Sequence, residues 1–165
     1  MQAKHSTEAR TTMTEYVLPT HANALGNVFG GQILAWMDIG AAICAQRHCG
    51  VICVTAGIDD LAFEQPVKVG QVVRIDARAT AAFRSSLEIL VEVTGEDLTS
   101  GRTWPCCSAF LTFVAIDAEG KPCQIPALLV STTSEERLQA EAEDRRAQRL
   151  ARRVRKVHDV PGATR

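Results

Sequence analysis

The chain lacks most of the features that assign a sequence to a class at once. No apolar run in its 165 residues reaches the roughly 18 needed to span a bilayer, so no membrane segment is expected. Met1 to Thr14 is polar and has no apolar core of a signal peptide, so export is not expected. There is no P-loop, no G-x-G-x-x-G phosphate cradle and no internal repeat. The net charge is −1 with 22% charged residues, a balance that gives no general pull toward nucleic acid or membrane. Six cysteines are present, but no two form a C-x-x-C pair. His48 with Cys49 or Cys53 matches no common zinc spacing, so no metal site is expected. Buried free thiols in a reducing compartment are the expectation.

What is present is concentrated between Asn23 and Ala42. Polar, turn-prone residues come first, then the pair Gly30-Gly31, then an apolar helical segment. Asp38 is the sole formal charge between Glu15 and Arg47, taking His21 as neutral. On a helix its neighbours three and four residues away are Leu34, Ala35, Ala41 and Ala42, a small apolar face without a cation. A carboxylate there must find a partner elsewhere in the fold or be desolvated. Glycines at the helix start leave its free N–H groups open to a ligand.

In chain order, residues 1–11 read as a flexible tail and Thr14 to Leu18 as a first strand that Pro19 stops. The helix follows from about Gly30 to Arg47, apolar on nearly its whole circumference and therefore expected to be buried on most sides. Strand-like segments come next: Val51 to Phe63, Gly70 to Ala82, Leu87 to Thr94 and Thr103 to Asp117. Arg84-Ser85-Ser86 reads as a hairpin turn, and Gly95 to Arg102 as a second turn. One long helix and mostly antiparallel strands give an α+β domain whose sheet wraps the helix. Residues 125–165 form a charged tail. Within it, Ser134 is a candidate N-cap for a solvated helix, acidic first and Arg-rich later. A phosphate-facing role for those arginines is the sharper alternative.

The pattern N-x-x-G-x-x-x-G-G at Asn23 to Gly31, a helix carrying Met37-Asp38-x-x-x-Ala42, and the later Phe63-Glu64-Gln65-Pro66 with Gly70 resemble the acyl-CoA thioesterases of the hotdog fold. The nearest branch is the acyl-CoA hydrolases that include the brain-type enzymes. The likeness spans residues 12–124. It implies an antiparallel sheet around one long central helix and an enzyme that hydrolyses acyl-CoA to CoA and a carboxylic acid. It implies Asp38 as general base or nucleophile and Asn23 as the residue orienting water or the thioester carbonyl. The carbonyl would face the N–H groups of Gly30 and Gly31 at the positive end of the helix dipole. In this fold the site lies between subunits. The expected unit is thus a homodimer, within a trimer of dimers (a hexamer), whose sites combine Asn23 and Asp38 of different chains. Coenzyme A belongs to substrate and product, so no separate cofactor is expected. Nor is a nucleic-acid partner or a membrane partner. Candidates for its phosphates are Lys68, Arg78 and Arg84, with Ser85 and Ser86 offering hydroxyls. The expected setting is cytoplasmic fatty-acid metabolism.

Two alternatives remain at this point. A hydratase on the same fold would need a catalytic His in the helix region, where only His48 occurs, at the end. A non-catalytic acyl-CoA-binding regulator would use the Arg-rich tail on nucleic acid, but the chain has no recognition helix with interleaved aromatics.

Overall fold

A computed structural model of the chain describes residues 1–158. Met1–Leu129 forms one compact unit, and the residues from Val130 onward form a second. The first unit is built from β1 (Lys4–His5), β2 (Thr11–Tyr16), helix α1 (Gly30–Cys49), β3 (Cys53–Phe63), β4 (Val72–Ala82), β5 (Ser86–Asp97), β6 (Arg102–Ala115) and β7 (Leu128–Leu129). Five strands make an antiparallel sheet in the order β2-β4-β5-β6-β3, while β1 and β7 pair in parallel. Helix α1 packs against all five sheet strands, the hotdog arrangement expected from the sequence. No helix among the described residues is long and apolar enough to cross a membrane.

The alternation of the strands supplies the helix-facing core. Val73, Ile75 and Ala77 of β4 and Ile89, Val91 and Val93 of β5 are all buried, as are Leu111 and Phe113 of β6. From the helix, Ile33, Met37, Ala41, Cys44 and Ala45 are buried. Close approach depends on Gly40, where a Cβ would lie 3.3 Å from Ile75 Cγ2 and 3.5 Å from Met13 Sδ. Gly50, in the left-handed conformation, ends α1 with its N–H on the Gln46 carbonyl. All six cysteines are free, and burial pushes the Cys44 thiol up to about 12, so it acts as an inert hydrophobe.

The structure corrects several sequence expectations. Residues 1–11 are not a free tail: β1 is paired with β7, the backbone of β2 begins at Thr11, and Ala9 is fully buried. Helix α1, expected to be buried on most sides, leaves one face open within one protomer. Gly31, Ala35 and Ile39 are exposed on one face, beside the exposed Val54 and Ile58 of the edge strand β3. Gly95 is not a turn residue, because β5 continues to Asp97 and the turn falls at 98–101. Gly95 is set by its cross-strand neighbour: a Cβ there would lie 2.5 Å from Cε2 of Trp104. Gly95→Ala is expected to destabilise the protein by about 1–3 kcal/mol, the usual cost of overpacking, read as a lower urea midpoint at unchanged slope. Glu88, which alternation along Leu87 to Thr94 would set on the face opposite Leu87 and Ile89, is fully buried, and Thr80 Oγ1 donates to its Oε1 at 2.9 Å.

In the second unit, helix α2 spans Thr133–His158. Ser134 does not cap it. Thr132 and Glu135 do so reciprocally: Glu135 N–H donates to Thr132 Oγ1 at 3.2 Å, and Thr132 N–H to Glu135 Oε2 at 3.1 Å. Arg137 Nε lies 2.8 Å from Glu141, an exposed i, i+4 pair of little consequence for stability.

Candidate active site

The loop before α1 is shaped by Asn23. Its Oδ1 accepts the N–H groups of Leu25 at 2.9 Å and Asn27 at 3.2 Å, and its own N–H donates to the Asn27 carbonyl at 2.8 Å. Two further bonds fasten the loop to the segment before β4: Val28 N–H to Val67 O at 2.8 Å, and Val69 N–H to Gly26 O at 3.0 Å. Gly26, with φ of 73°, makes the turn. Since Oδ1 is held by the loop, the Asn23 amide NH2 remains as the donor this side chain can offer.

Helix α1 starts at Gly30 with no side chain capping its N-terminus. Gln32 and Ile33 donate their N–H groups to the Phe29 carbonyl, whereas those of Gly30 and Gly31, at the very start of the helix, have no acceptor a turn earlier within it. The two glycines differ in what requires them. A Cβ on Gly30 would meet the Phe63 ring at 3.2 Å, whereas around Gly31 there is open space. Asn23, Gly30, Ile33, Phe63, Glu64 and Cys106 are among the walls of a cavity of about 340 Å³. Glu64, within the family-like Phe63-Glu64-Gln65-Pro66 stretch, donates its N–H to the Cys106 carbonyl at 2.8 Å and borders this cavity.

Asp38 finds its partner in β3. Thr55 Oγ1 donates to Asp38 Oδ1 at 2.6 Å, a short hydrogen bond of the kind formed with a charged acceptor. No cation stands in an ion pair with Asp38 among the described residues. Thr55 was not legible from the sequence, because nothing local distinguishes it; the packing of β3 against α1 puts it there. Asp38 is half-buried and lies about 12 Å of helical rise beyond Gly30. It does not border the cavity that Asn23 lines. One protomer thus keeps Asn23 and Asp38 apart.

The candidate phosphate ligands are also dispersed. Arg78 is occupied by Glu92, Nη1 to Oε2 at 3.0 Å. Arg84, Ser85 and Ser86 lie where β4 turns into β5, with Phe83 N–H on the Ser86 carbonyl. Lys68 lies near the opposite end of those strands, where Gln71, Asp97 and Arg102 gather. Buried His48 donates from Nε2 to the Pro126 carbonyl at 3.0 Å, and burial lowers its pKa.

A family model described as the thioesterase superfamily matches residues 25–101. The uncharacterized acyl-CoA thioester hydrolase YkhA of Bacillus subtilis is 34% identical over 88% of this chain and 85% of its own length. The chain belongs to the acyl-CoA thioester hydrolases of the thioesterase superfamily. Mouse acyl-coenzyme A thioesterase 11 is 41% identical over 84% of this chain. The chain spans about a quarter of the length of the mouse and rat thioesterases it matches.

Among solved structures, an apo-hexameric acyl-CoA thioesterase matches with a TM-score of 0.88 at 36% identity, covering 92% of this chain and 97% of that one. The acyl-CoA hydrolase of Staphylococcus aureus, solved with butyryl coenzyme A, coenzyme A and coenzyme A disulfide, matches with a TM-score of 0.87 at 31% identity. That match covers 94% of this chain and 95% of the other. Three of its variants, each with one Asn, one Asp or one Thr changed to Ala, have also been solved. Those positions have the same order and spacing along the chain as Asn23, Asp38 and Thr55 here.

Proposed function

We propose that this hydrolase-family chain cleaves the thioester of acyl-CoA to coenzyme A and a carboxylic acid, with Asp38 as its general base or nucleophile. The observation that carries this reading is the Thr55–Asp38 hydrogen bond. It fixes one carboxylate oxygen and leaves Oδ2 to act. Oδ2 can take a proton from water that attacks the thioester carbonyl. It can also attack the carbonyl itself, giving a mixed anhydride that water opens. In both courses negative charge builds on the carbonyl oxygen. The Gly30 and Gly31 N–H groups, at the positive helix end, stabilise that charge, and the Asn23 amide donates to the same oxygen. The matching spacing of the three residues altered in the Staphylococcus aureus hydrolase supports these roles.

Asn23 and Asp38 act together only if a second copy brings its Asp38 to the cavity lined by Asn23. The exposed apolar strip of Ile39, Val54 and Ile58 supports a homodimer at this face, and the hexameric structural relative supports a trimer of dimers. A cytoplasmic setting is part of the proposal, supported by the rat cytosolic acyl coenzyme A thioester hydrolase, 33% identical over 88% of this chain. A hydratase reading is disfavoured because His48 is buried and engaged with Pro126.

Thiol release from a panel of acyl-CoAs, followed with a chromogenic thiol reagent, tests the proposal; a folded protein that releases no thiol from any of them overturns it. Thr55→Val should lower kcat by roughly 10–100-fold, the worth of a hydrogen bond to a charged group. An unchanged kcat in that variant would mean that Thr55 does not hold the reacting carboxylate.

A further inference from the structure

The two glycines that open α1 have different surroundings, and the difference is one side chain. A Cβ on Gly30 would lie 3.2 Å from Phe63 Cζ, 3.5 Å from its Cε2 and 3.8 Å from its Cε1, so the far edge of the ring is aimed at this glycine. Around Gly31 no atom comes within 4 Å of a Cβ. A Cα–Cβ bond tilts toward the N-terminus of its helix, the end at which the N–H groups of Gly30 and Gly31 are open. The Phe63 ring therefore stands beside the spot those groups face.

The course of β3 puts the ring there. Asp59 stands opposite Phe110 and Ala62 opposite Ser108, so β3 carries one residue more than β6 over this stretch. Asp60 takes up the extra length with a φ of 55°, a left-handed conformation uncommon outside glycine. One extra residue reverses the face that each later side chain takes, and it bends the strand. Just beyond Phe63 the chain is tied down twice. Glu64 N–H donates to the Cys106 carbonyl at 2.8 Å, and the Pro66 carbonyl accepts Trp104 Nε1 at 3.2 Å. Phe63 itself stays half-exposed, on the wall of the cavity that Asn23 and Gly30 also line. A ring that buries so little area contributes little to the core, and its place on the cavity wall points to the substrate.

We propose that Phe63 sets the acyl specificity of this hydrolase, admitting acyl groups unbranched at the carbon next to the thioester carbonyl and turning away those branched there. The proposal rests on the acyl-CoA reading above. With the carbonyl oxygen on the Gly30 and Gly31 N–H groups, the next acyl carbon is one bond from the carbonyl carbon and lies over the same turn of helix. A straight chain gives that carbon one further carbon substituent, which passes on the open Gly31 side. A methyl branch adds a second, on the Gly30 side, where the ring stands. To make room the ring must leave Gly30 and expose more of its apolar surface, which disfavours the branched substrate. A branch one carbon further along clears the ring.

The test uses the full chain and three acyl-CoAs. They are the straight-chain substrate of butyryl length or longer that is turned over fastest in the thiol-release panel, its 2-methyl derivative and its 3-methyl derivative. In the unaltered protein kcat/KM for the straight chain should exceed that for the 2-methyl substrate by roughly 10–200-fold, the range one added carbon commands in a fitted pocket. The 3-methyl substrate should stay close to the straight chain. Phe63→Ala should bring the 2-methyl substrate to within about threefold of the straight chain by removing the obstructing wall. Phe63→Leu, which keeps part of the bulk, should fall between the two and decides the matter if the alanine variant does not fold.

Equal kcat/KM for the straight and 2-methyl substrates in the unaltered protein overturns the proposal. So does an unchanged ratio in the folded variants, or a fall for all three substrates alike, which is what a purely structural role would give. An equal gain for the 2-methyl and 3-methyl substrates in Phe63→Ala also overturns it, because the ring would then limit the width of the cavity and not the branch point. All of these outcomes leave the hydrolase reading standing. Absence of thiol release from every acyl-CoA overturns that reading and the proposal with it.

Discussion

Asp38→Ala is expected to lower kcat by about 10²–10⁴-fold, the range associated with a positioned general base. The carboxylate is the single formal charge between Glu15 and Arg47, and its Oδ1 is fastened by Thr55 at 2.6 Å. Removing it takes away the group that activates water or attacks the carbonyl, while the N–H groups at Gly30 and Gly31 remain. Residual turnover should therefore persist above the uncatalysed rate. Asp38 is half-buried and opens toward the uncovered face of α1, so its loss leaves no large internal void. The thermal midpoint should change little. Stopped or steady-state thiol release with a folded variant measures this. Near-normal turnover would remove Asp38 from the reaction, and the anhydride course with it.

Mixing two crippled variants should give the largest gain. Asn23→Ala and Asp38→Ala are each expected to be nearly inactive alone. If each site takes Asn23 from one subunit and Asp38 from its partner, a heterodimer of the two variants has one site free of both changes. Random exchange at equal amounts makes half the dimers mixed, so roughly a quarter of the normal turnover should return. The structural ground is that a single protomer separates the two residues, with Asp38 about 12 Å of helical rise beyond Gly30 and outside the cavity Asn23 borders. Subunit exchange is verified with differently tagged copies. A mixture that exchanges but stays inactive would show that one chain supplies both groups, or that Asn23 does not act as proposed.

Much of the architecture was legible because the strands alternate and the helix is one long, almost wholly apolar run. The alternation in β4 and β5 marked Val73, Ile75, Ile89 and Val91 as inward, and all four are buried. The apolar run from Gly30 to Arg47, with Asp38 as its one charge, marked α1, which extends to Cys49. Errors arose where a residue's reason lies across the sheet. Gly95 reads locally as a turn glycine, yet it answers to Trp104. Glu88 reads as a polar-face residue, yet it is buried against Thr80. Ser134 precedes two glutamates and reads as a cap, but Thr132, two residues earlier, captures Glu135.

The candidate site divides the same way. By itself the sequence determined that an isolated carboxylate would sit on an apolar helix after a glycine pair and an Asn-bearing loop, because composition and spacing along one segment suffice for that. Tertiary structure alone decided that Thr55 meets Asp38, and that the Phe63 ring crowds Gly30. It also decided that Lys68 keeps company with Arg102 rather than with Arg84. These pairings join residues far apart in the chain, and their distances are set by strand register and by the packing of β3 on α1, which no local pattern encodes.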